Sequence, residues 1–230
     1  MTDLHTHILP GMDDGAQSVE EALAILQEEI KQGVTTVALT PHFYRRRENL
    51  SDFLLRRDTA WQQLSEATKG WALPNLILGA EVAWMSDMTQ WPELEQLCYQ
   101  GTKMLLVELP VAPWTDSVFR ELYCLEERRG ITPMIAHLDR YFYFQKKRDI
   151  ERILEMGYPV QVSAEALSHF FLRKQALELL NQYDGLLISD CHNLTDRAPN
   201  LADAMRIVEK KLGGRMAGKI AAMTDEALSD

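Results

Sequence analysis

The segment Ser18–His42, SVEEALAILQEEIKQGVTTVALTPH, decides how the chain is read. Ser18 and Glu21 stand in the S-x-x-E spacing of a capping box, which satisfies the free N–H groups at a helix start. Val19, Ala22, Leu23, Leu26 and Ile30 then recur on one helical face. Gly33 stands where a left-handed residue ends a helix. Val34–Thr40 follows at once, an apolar β-branched run closed by Pro41. A helix that feeds directly into a buried strand ending on a histidine is half of a βα unit.

Working outward, the same alternation fills the chain. Strands are expected at Thr2–His5, Asn75–Glu81, Met104–Leu109, Pro133–His137, Val160–Ser163 and Leu186–Asp190. Helices are expected at Ser51–Lys69, Ser117–Arg129, Asp149–Met156, Ser168–Gln182 and Leu201–Leu212, with a short one near Glu93–Tyr99. Near-continuous apolar strands suit a parallel sheet buried on both faces. About seven βα units imply a single domain over residues 1–230, either an α/β barrel or an open doubly wound sheet. The length of 230 residues and 46% hydrophobic content are enough for one full core. A net charge of −10 argues against nucleic-acid binding, and no run of about 18 apolar residues spans a membrane. Cys98, Cys124 and Cys191 are too scattered for a disulfide framework or a CxxC site. The opening residues show no charged-and-apolar leader, so a cytoplasmic location is expected.

In α/β folds, chemistry collects beyond the carboxyl ends of the strands. Here those ends carry His5 and His7, with Asp13 and Asp14 just beyond, then His42, Glu81, Glu108, His137, and Asp190 with His192. Only the strand ending near Ser163 offers no ligand type. A sheet closed on itself gathers these ends, whereas an open sheet spreads them along an edge, so a distorted, TIM-like βα barrel is expected. His5 and His7, two apart in an extended segment, point to one side. Imidazoles mixed with carboxylates suit manganese, iron, zinc or cobalt and need no thiolate.

The segments His5–Ala16, Thr40-Pro-His42, Gly79-Ala-Glu81, Leu106–Pro110, Ile135–Arg140 and Ser189–Leu201 resemble the polymerase-and-histidinol-phosphatase (PHP) superfamily. Within it the chain is similar to the bacterial manganese-dependent tyrosine phosphatases of capsule and exopolysaccharide biosynthesis. The resemblance implies a distorted seven-stranded βα barrel and three divalent metal ions, manganese foremost. It assigns His5, His7, Glu81 and Asp190 to a first metal. Glu81 then bridges to a second shared with Glu108 and His137, and Asp14, His42 and His192 hold a third. Arg140 and Arg197 match arginines that would grip phosphate oxygens bidentately. Phe43, Leu138-Asp139 and Ala198 depart from the family pattern, as does the tail Met223–Asp230, but none removes a ligand.

The implied reaction is in-line attack of a metal-bridging hydroxide on phosphotyrosine, helped by a phenol leaving group with a pKa of about 10. The implied partner is a phosphotyrosine protein, a bacterial tyrosine autokinase. Competing readings are a histidinol-phosphatase-like phosphomonoesterase and a weakly catalytic protein that regulates the kinase by binding it. Three features lie near the expected mouth. Arg45-Arg46-Arg47 would bring positive charge there or form an ordinary solvated loop, and Tyr141–Phe144 would wall a pocket or pack beneath a loop. Cys191–Arg197 fits C-x5-R, the signature of cysteine-dependent phosphatases, yet the loop lacks glycine and Asp190 and Asp196 disfavour a thiolate. His169 is read as structural, and Trp84, Trp91 and Trp114 as rim or packing residues. Three divalent ions would bring the net charge from −10 to −4, so much of the acidic balance belongs to a cationic centre.

Overall fold

The structure, a computed structural model, describes residues 1–228. Its strands are β1 (Thr2–Thr6), β2 (Thr36–Leu39), β3 (His42–Phe43), β4 (Asn75–Leu78), β5 (Glu81–Ala83), β6 (Met104–Glu108), β7 (Thr132–Ile135), β8 (Gln161–Ser163) and β9 (Leu186–Ile188). The helices are α1 (Val19–Lys31), α2 (Leu50–Ala67), α3 (Asp116–Arg129), α4 (Lys147–Glu155), α5 (Ala164–Ser168), α6 (Arg173–Gln182), α7 (Leu201–Leu212) and α8 (Gly214–Glu226). Helix α1 begins as expected, with the Ser18 hydroxyl accepting the Glu21 N–H. The second arm of the capping box is displaced by one residue, because the Glu21 carboxylate accepts the N–H of Gln17. Gly33 follows the helix at φ 82°, a left-handed conformation that costs glycine little.

All strand pairs are parallel. The orders are β1-β2-β4, β3-β5-β6-β7 and β8-β9. The expected strand Asn75–Glu81 is split at Gly79-Ala80, and β3 resumes pairing beyond Pro41, a residue with no N–H to donate. Register carries across both interruptions, since Leu39 lies opposite Leu78 and His42 opposite Glu81. Single parallel bridges link Ile135 to Val160 and Thr6 to Cys191.

The apolar interior has two parts. The larger lies between strands and helices and includes Ile25, Leu26, Leu39, Phe53, Leu105, Leu122 and Ile153. A smaller cluster takes Leu4, Ala38, Leu106, Met134 and Ile188 from five strands around Tyr99, whose hydroxyl donates to the Leu4 carbonyl at 2.8 Å. Met223, Ala227 and Leu228 pack against this smaller cluster. Of the tail that is atypical in sequence, Met223–Glu226 completes α8 and Ala227 and Leu228 follow as a turn against that cluster, while Ser229 and Asp230 lie outside the described residues. The expected helix Ser168–Gln182 begins only at Arg173 as α6; Ser168 instead ends the short helix α5, and Phe170 and Phe171 in the connection His169–Leu172 are exposed. No helix among the described residues is long and apolar enough to cross a membrane.

Ile220, fully buried on α8, anchors that helix against the body. Ile220→Ala is expected to lower stability by about 2–5 kcal/mol, from lost burial plus a residual cavity. An unchanged urea midpoint would show that α8 does not belong to the cooperative core.

Candidate metal centre

Glu81, the first residue of β5, is 1% exposed, and four histidines meet at its carboxylate. His5 Nε2 lies 3.2 Å from Oε2, His7 Nε2 3.4 Å, and His42 Nδ1 2.8 Å. His137 Nε2 approaches the other oxygen at 2.8 Å. Asp190 adds an oxygen 3.4 Å from both His5 and His7, whose Nε2 atoms are themselves 3.1 Å apart. The His5–His7 pairing expected from their spacing is therefore present.

A neighbouring group joins His7, Asp14, His42 and His192, with Asp14 Oδ1 3.6 Å from His42 Nε2 and 3.5 Å from His192 Nε2. Glu108 groups with His42 and Glu81. All nine expected ligand residues thus fall in one connected cluster. The sharing differs in detail from the resemblance: His7 also faces the Asp14 group, and Glu108 stands with His42.

The backbone aims these groups. His137 and Asp190 adopt φ of 30° and 56°. Non-glycine residues pay about 1–3 kcal/mol for such conformations, which persist where surrounding structure enforces them. Gly15 packs so closely on the His7 carbonyl that a Cβ there would collide with it, while the Ala16 N–H donates to the same carbonyl at 3.0 Å.

Two residues not singled out as site members in the sequence complete the arrangement. Asp13 accepts from His7 Nδ1–H at 2.7 Å, and from the backbone N–H groups of Gly15 and His42 at 2.9 Å and 2.8 Å. Gln161, from the strand without a ligand, accepts from His5 Nδ1–H at 2.8 Å. The Asp190 carbonyl accepts from His192 Nδ1–H at 3.0 Å. Three imidazoles are therefore held through Nδ1 with Nε2 turned inward, the support that metal-binding histidines require. Asp13 was detectable as the first of two consecutive acids, and Gln161 as a polar residue inside an apolar strand.

Whether the cluster suits cations is tested by its unpaired atoms. Glu81 Oε2, Asp190 Oδ1, His42 Nδ1 and His192 Nε2 are buried and crowd together, Glu81 Oε2 and His42 Nδ1 only 2.8 Å apart, yet none of them makes a hydrogen bond of proper geometry. Buried polar atoms are rarely left so, and these are lone-pair donors of the kinds that bind divalent ions. Burial alone would raise Glu81 and Asp190, but His5 with His42, and His5 with Arg140, hold them well below the usual carboxylate range. Burial and Glu81 push Glu108 up to about 7. Burial and nearby positive groups lower His137 to about 4 and His192 to about 3, favouring neutral imidazoles.

Arg140 and Arg197 both reach Asp190 Oδ2, Arg197 at 2.9 Å, and Arg197 also lies 3.6 Å from Asp14. Their side chains are 35% and 27% exposed, so both line the open side of the cluster. Cys191 faces the other way. Its thiol, fully buried, donates to Glu29 at 3.5 Å, and burial with Glu29 and Asp3 raises its pKa far above normal. Tyr141 is core, donating to the Leu109 carbonyl at 2.7 Å, whereas Tyr143 and Phe144 are exposed. Tyr143, His169, Phe170 and Phe171 form an outward aromatic strip, so His169 is a surface residue. Trp91 and Trp114 are buried.

A parallel α/β fold with a histidine–carboxylate cluster at its strand ends defines the class: proteins built to bind divalent metal there. The sequence pattern of the family Capsular polysaccharide synthesis, CpsB/CapC, matches residues 1–228, and the chain belongs to that family. It is 29% identical over 238 residues to tyrosine-protein phosphatase CpsB of Streptococcus agalactiae, covering 96% of this chain and 94% of that protein. It is 26% identical to tyrosine-protein phosphatase YwqE of Bacillus subtilis, covering 94% and 87%. Crystal structures of YwqE and of CpsB from Streptococcus pneumoniae, described as unique metal-dependent tyrosine phosphatases, include a chain matching with TM-score 0.82. That match is at 25% identity and covers 99% of this chain and 94% of the other. An organophosphorus hydrolase variant, at TM-score 0.54 and 14% identity, shares the fold alone.

Asp13→Ala should weaken manganese binding about 10–100-fold, because His7 loses the acceptor that orients it. Calorimetric titration of metal-stripped protein measures this, and unchanged affinity would deny Asp13 its orienting role.

Proposed function

We propose that this chain is a metal-dependent protein-tyrosine phosphatase of capsular or exopolysaccharide synthesis, acting in the cytoplasm on a phosphotyrosine protein such as a tyrosine autokinase. The observation that carries the reading is the cluster of nine ligand-type residues, buried at Glu81 and Asp190 and open at Asp14, with lone pairs that make no proper hydrogen bond and two arginines on its open side. The relatives named as tyrosine phosphatases support it over nearly their whole length. The chain acts as one domain over residues 1–230, a distorted seven-stranded barrel in which β2 with β3 and β4 with β5 each count as one strand. The two single bridges and the strand-spanning cluster around Tyr99 support that closure.

Three ions, manganese foremost, would be held by His5, His7, Glu81 and Asp190; by Glu81, Glu108 and His137; and by Asp14, His42 and His192. When bound, divalent ions supply acidified water near neutral pH and neutralise phosphoryl charge. The protein's part is positional. Asp13, Gln161 and the Asp190 carbonyl hold three imidazoles in the ligating tautomer. Arg140 and Arg197 leave Asp190 Oδ2 to grip phosphoryl oxygens, where planar guanidinium groups bind better than ammonium. A phenolate leaves without a strong general acid, because tyrosine's pKa is only about 10.

Manganese-loaded protein should hydrolyse a phosphotyrosine peptide, lose that activity to a chelator and retain it in Cys191→Ser. A preference of about a hundredfold in kcat/KM for histidinol phosphate would sink the reading, as would chelator-resistant activity that needs Cys191. Arg140→Ala should lower kcat/KM on the peptide about 100- to 1000-fold, the scale of losing a charge-stabilising donor. Steady-state kinetics on the two proteins decide this, and a loss under about threefold would remove Arg140 from the site.

A further inference from the structure

A groove of about 490 Å3 leads away from Glu108 along Tyr44, Trp84 and Met85 and is rimmed by Arg45, Arg46 and Arg47. In a chain of net charge −10 these three cations are conspicuous, because no carboxylate pairs with any of them among the described residues. Glu48, the acid closest in sequence, is taken by Arg56 at 2.8 Å. Aromatic rings hold two of the cations instead. Arg45 lies 6.0 Å from the Trp91 ring centre and Arg47 lies 4.4 Å from that of Tyr44. The Tyr44 ring is in turn 5.1 Å from the ring of His42.

We propose that this groove receives the polypeptide flanking the phosphorylated tyrosine, and that Arg45, Arg46 and Arg47 select carboxylate side chains in it. The inference rests on the phosphatase reading and adds the substrate's sequence preference. Its reach follows from the ring contacts. Steps of 5.1 Å and 4.4 Å put Arg47 within about 10 Å of His42, and an extended chain advances about 3.3–3.6 Å per residue. The selected acids therefore lie two or three residues from the phosphotyrosine. The apolar walls at Trp84 and Met85 bury the stems between. Unpaired guanidinium groups are also already free for a ligand, since no internal ion pair must first break.

The test compares phosphotyrosine peptides carrying Glu two and three residues away, on either side, with peptides carrying Gln there. A small aryl phosphate with no flanking chain serves as reference. Wild-type protein should favour at least one acidic peptide by about tenfold in kcat/KM, chiefly through KM, and 0.5 M salt should erode this preference. The R45Q/R46Q/R47Q protein should show no preference, and R45K/R46K/R47K should keep most of it. The readout is the ratio of two peptides within each protein, so a general loss of activity or folding cancels. Equal rates on acidic and Gln peptides in wild type, or a preference that survives R45Q/R46Q/R47Q, overturn the inference. Metal-loaded protein that turns over no aryl phosphate overturns the phosphatase reading itself, and this inference with it.

Discussion

Four imidazoles converge on the carboxylate of Glu81, and the rest of the structure is arranged around keeping that buried charge in place. An isolated carboxylate at 1% exposure would be too costly to ionise. His5 and His7 come from the end of β1, His42 from β3 and His137 from the end of β7, so the compensation exists only when the chain is folded. The strand order is therefore tied to the centre as firmly as the centre is tied to the strands. The acceptors behind the rings extend this dependence outward, Asp13 through a turn and Gln161 through β8.

The same demand explains the local irregularities. A regular strand alternates its side chains between faces, which would turn away some of the groups needed at its end. The breaks at Pro41 and at Gly79-Ala80 re-aim β3 and β5 without changing register. The left-handed residues His137 and Asp190 do the same at β7 and β9. Each departure costs conformational energy, and each sits beside a ligand-type side chain.

This explains which parts of the fold could be read from sequence. The βα alternation was legible because the apolar runs and the helix Ser18–Gly33 are locally self-consistent, and helix α7 falls at Leu201–Leu212 as expected. The ligand-type residues were legible because strand ends in such folds are where chemistry gathers. What escaped depends on tertiary contact. The split of Asn75–Glu81 follows from aiming Glu81, which no propensity encodes. Helix α8 buries Ala217 and Ile220 in the larger core and Met223 against the smaller cluster, contacts made by elements distant in sequence. Gln161 is ordinary until His5, 156 positions earlier, is placed beside it. Arg140 and Arg197 were found by resemblance, and their shared hold on Asp190 became visible only in space.

The broken strands also divide the molecule by depth. Pairing of β1, β2 and β4, with Tyr99 beneath, forms one level that reaches the centre only through His5 and His7 at the end of β1, while the two-residue β3 and three-residue β5 form an upper level that carries His42 and Glu81. Backbone amides in such short segments can exchange with solvent through local opening, whereas those below await global unfolding. Ion binding adds its free energy to every opening that dismantles the cluster, so it protects the upper level first.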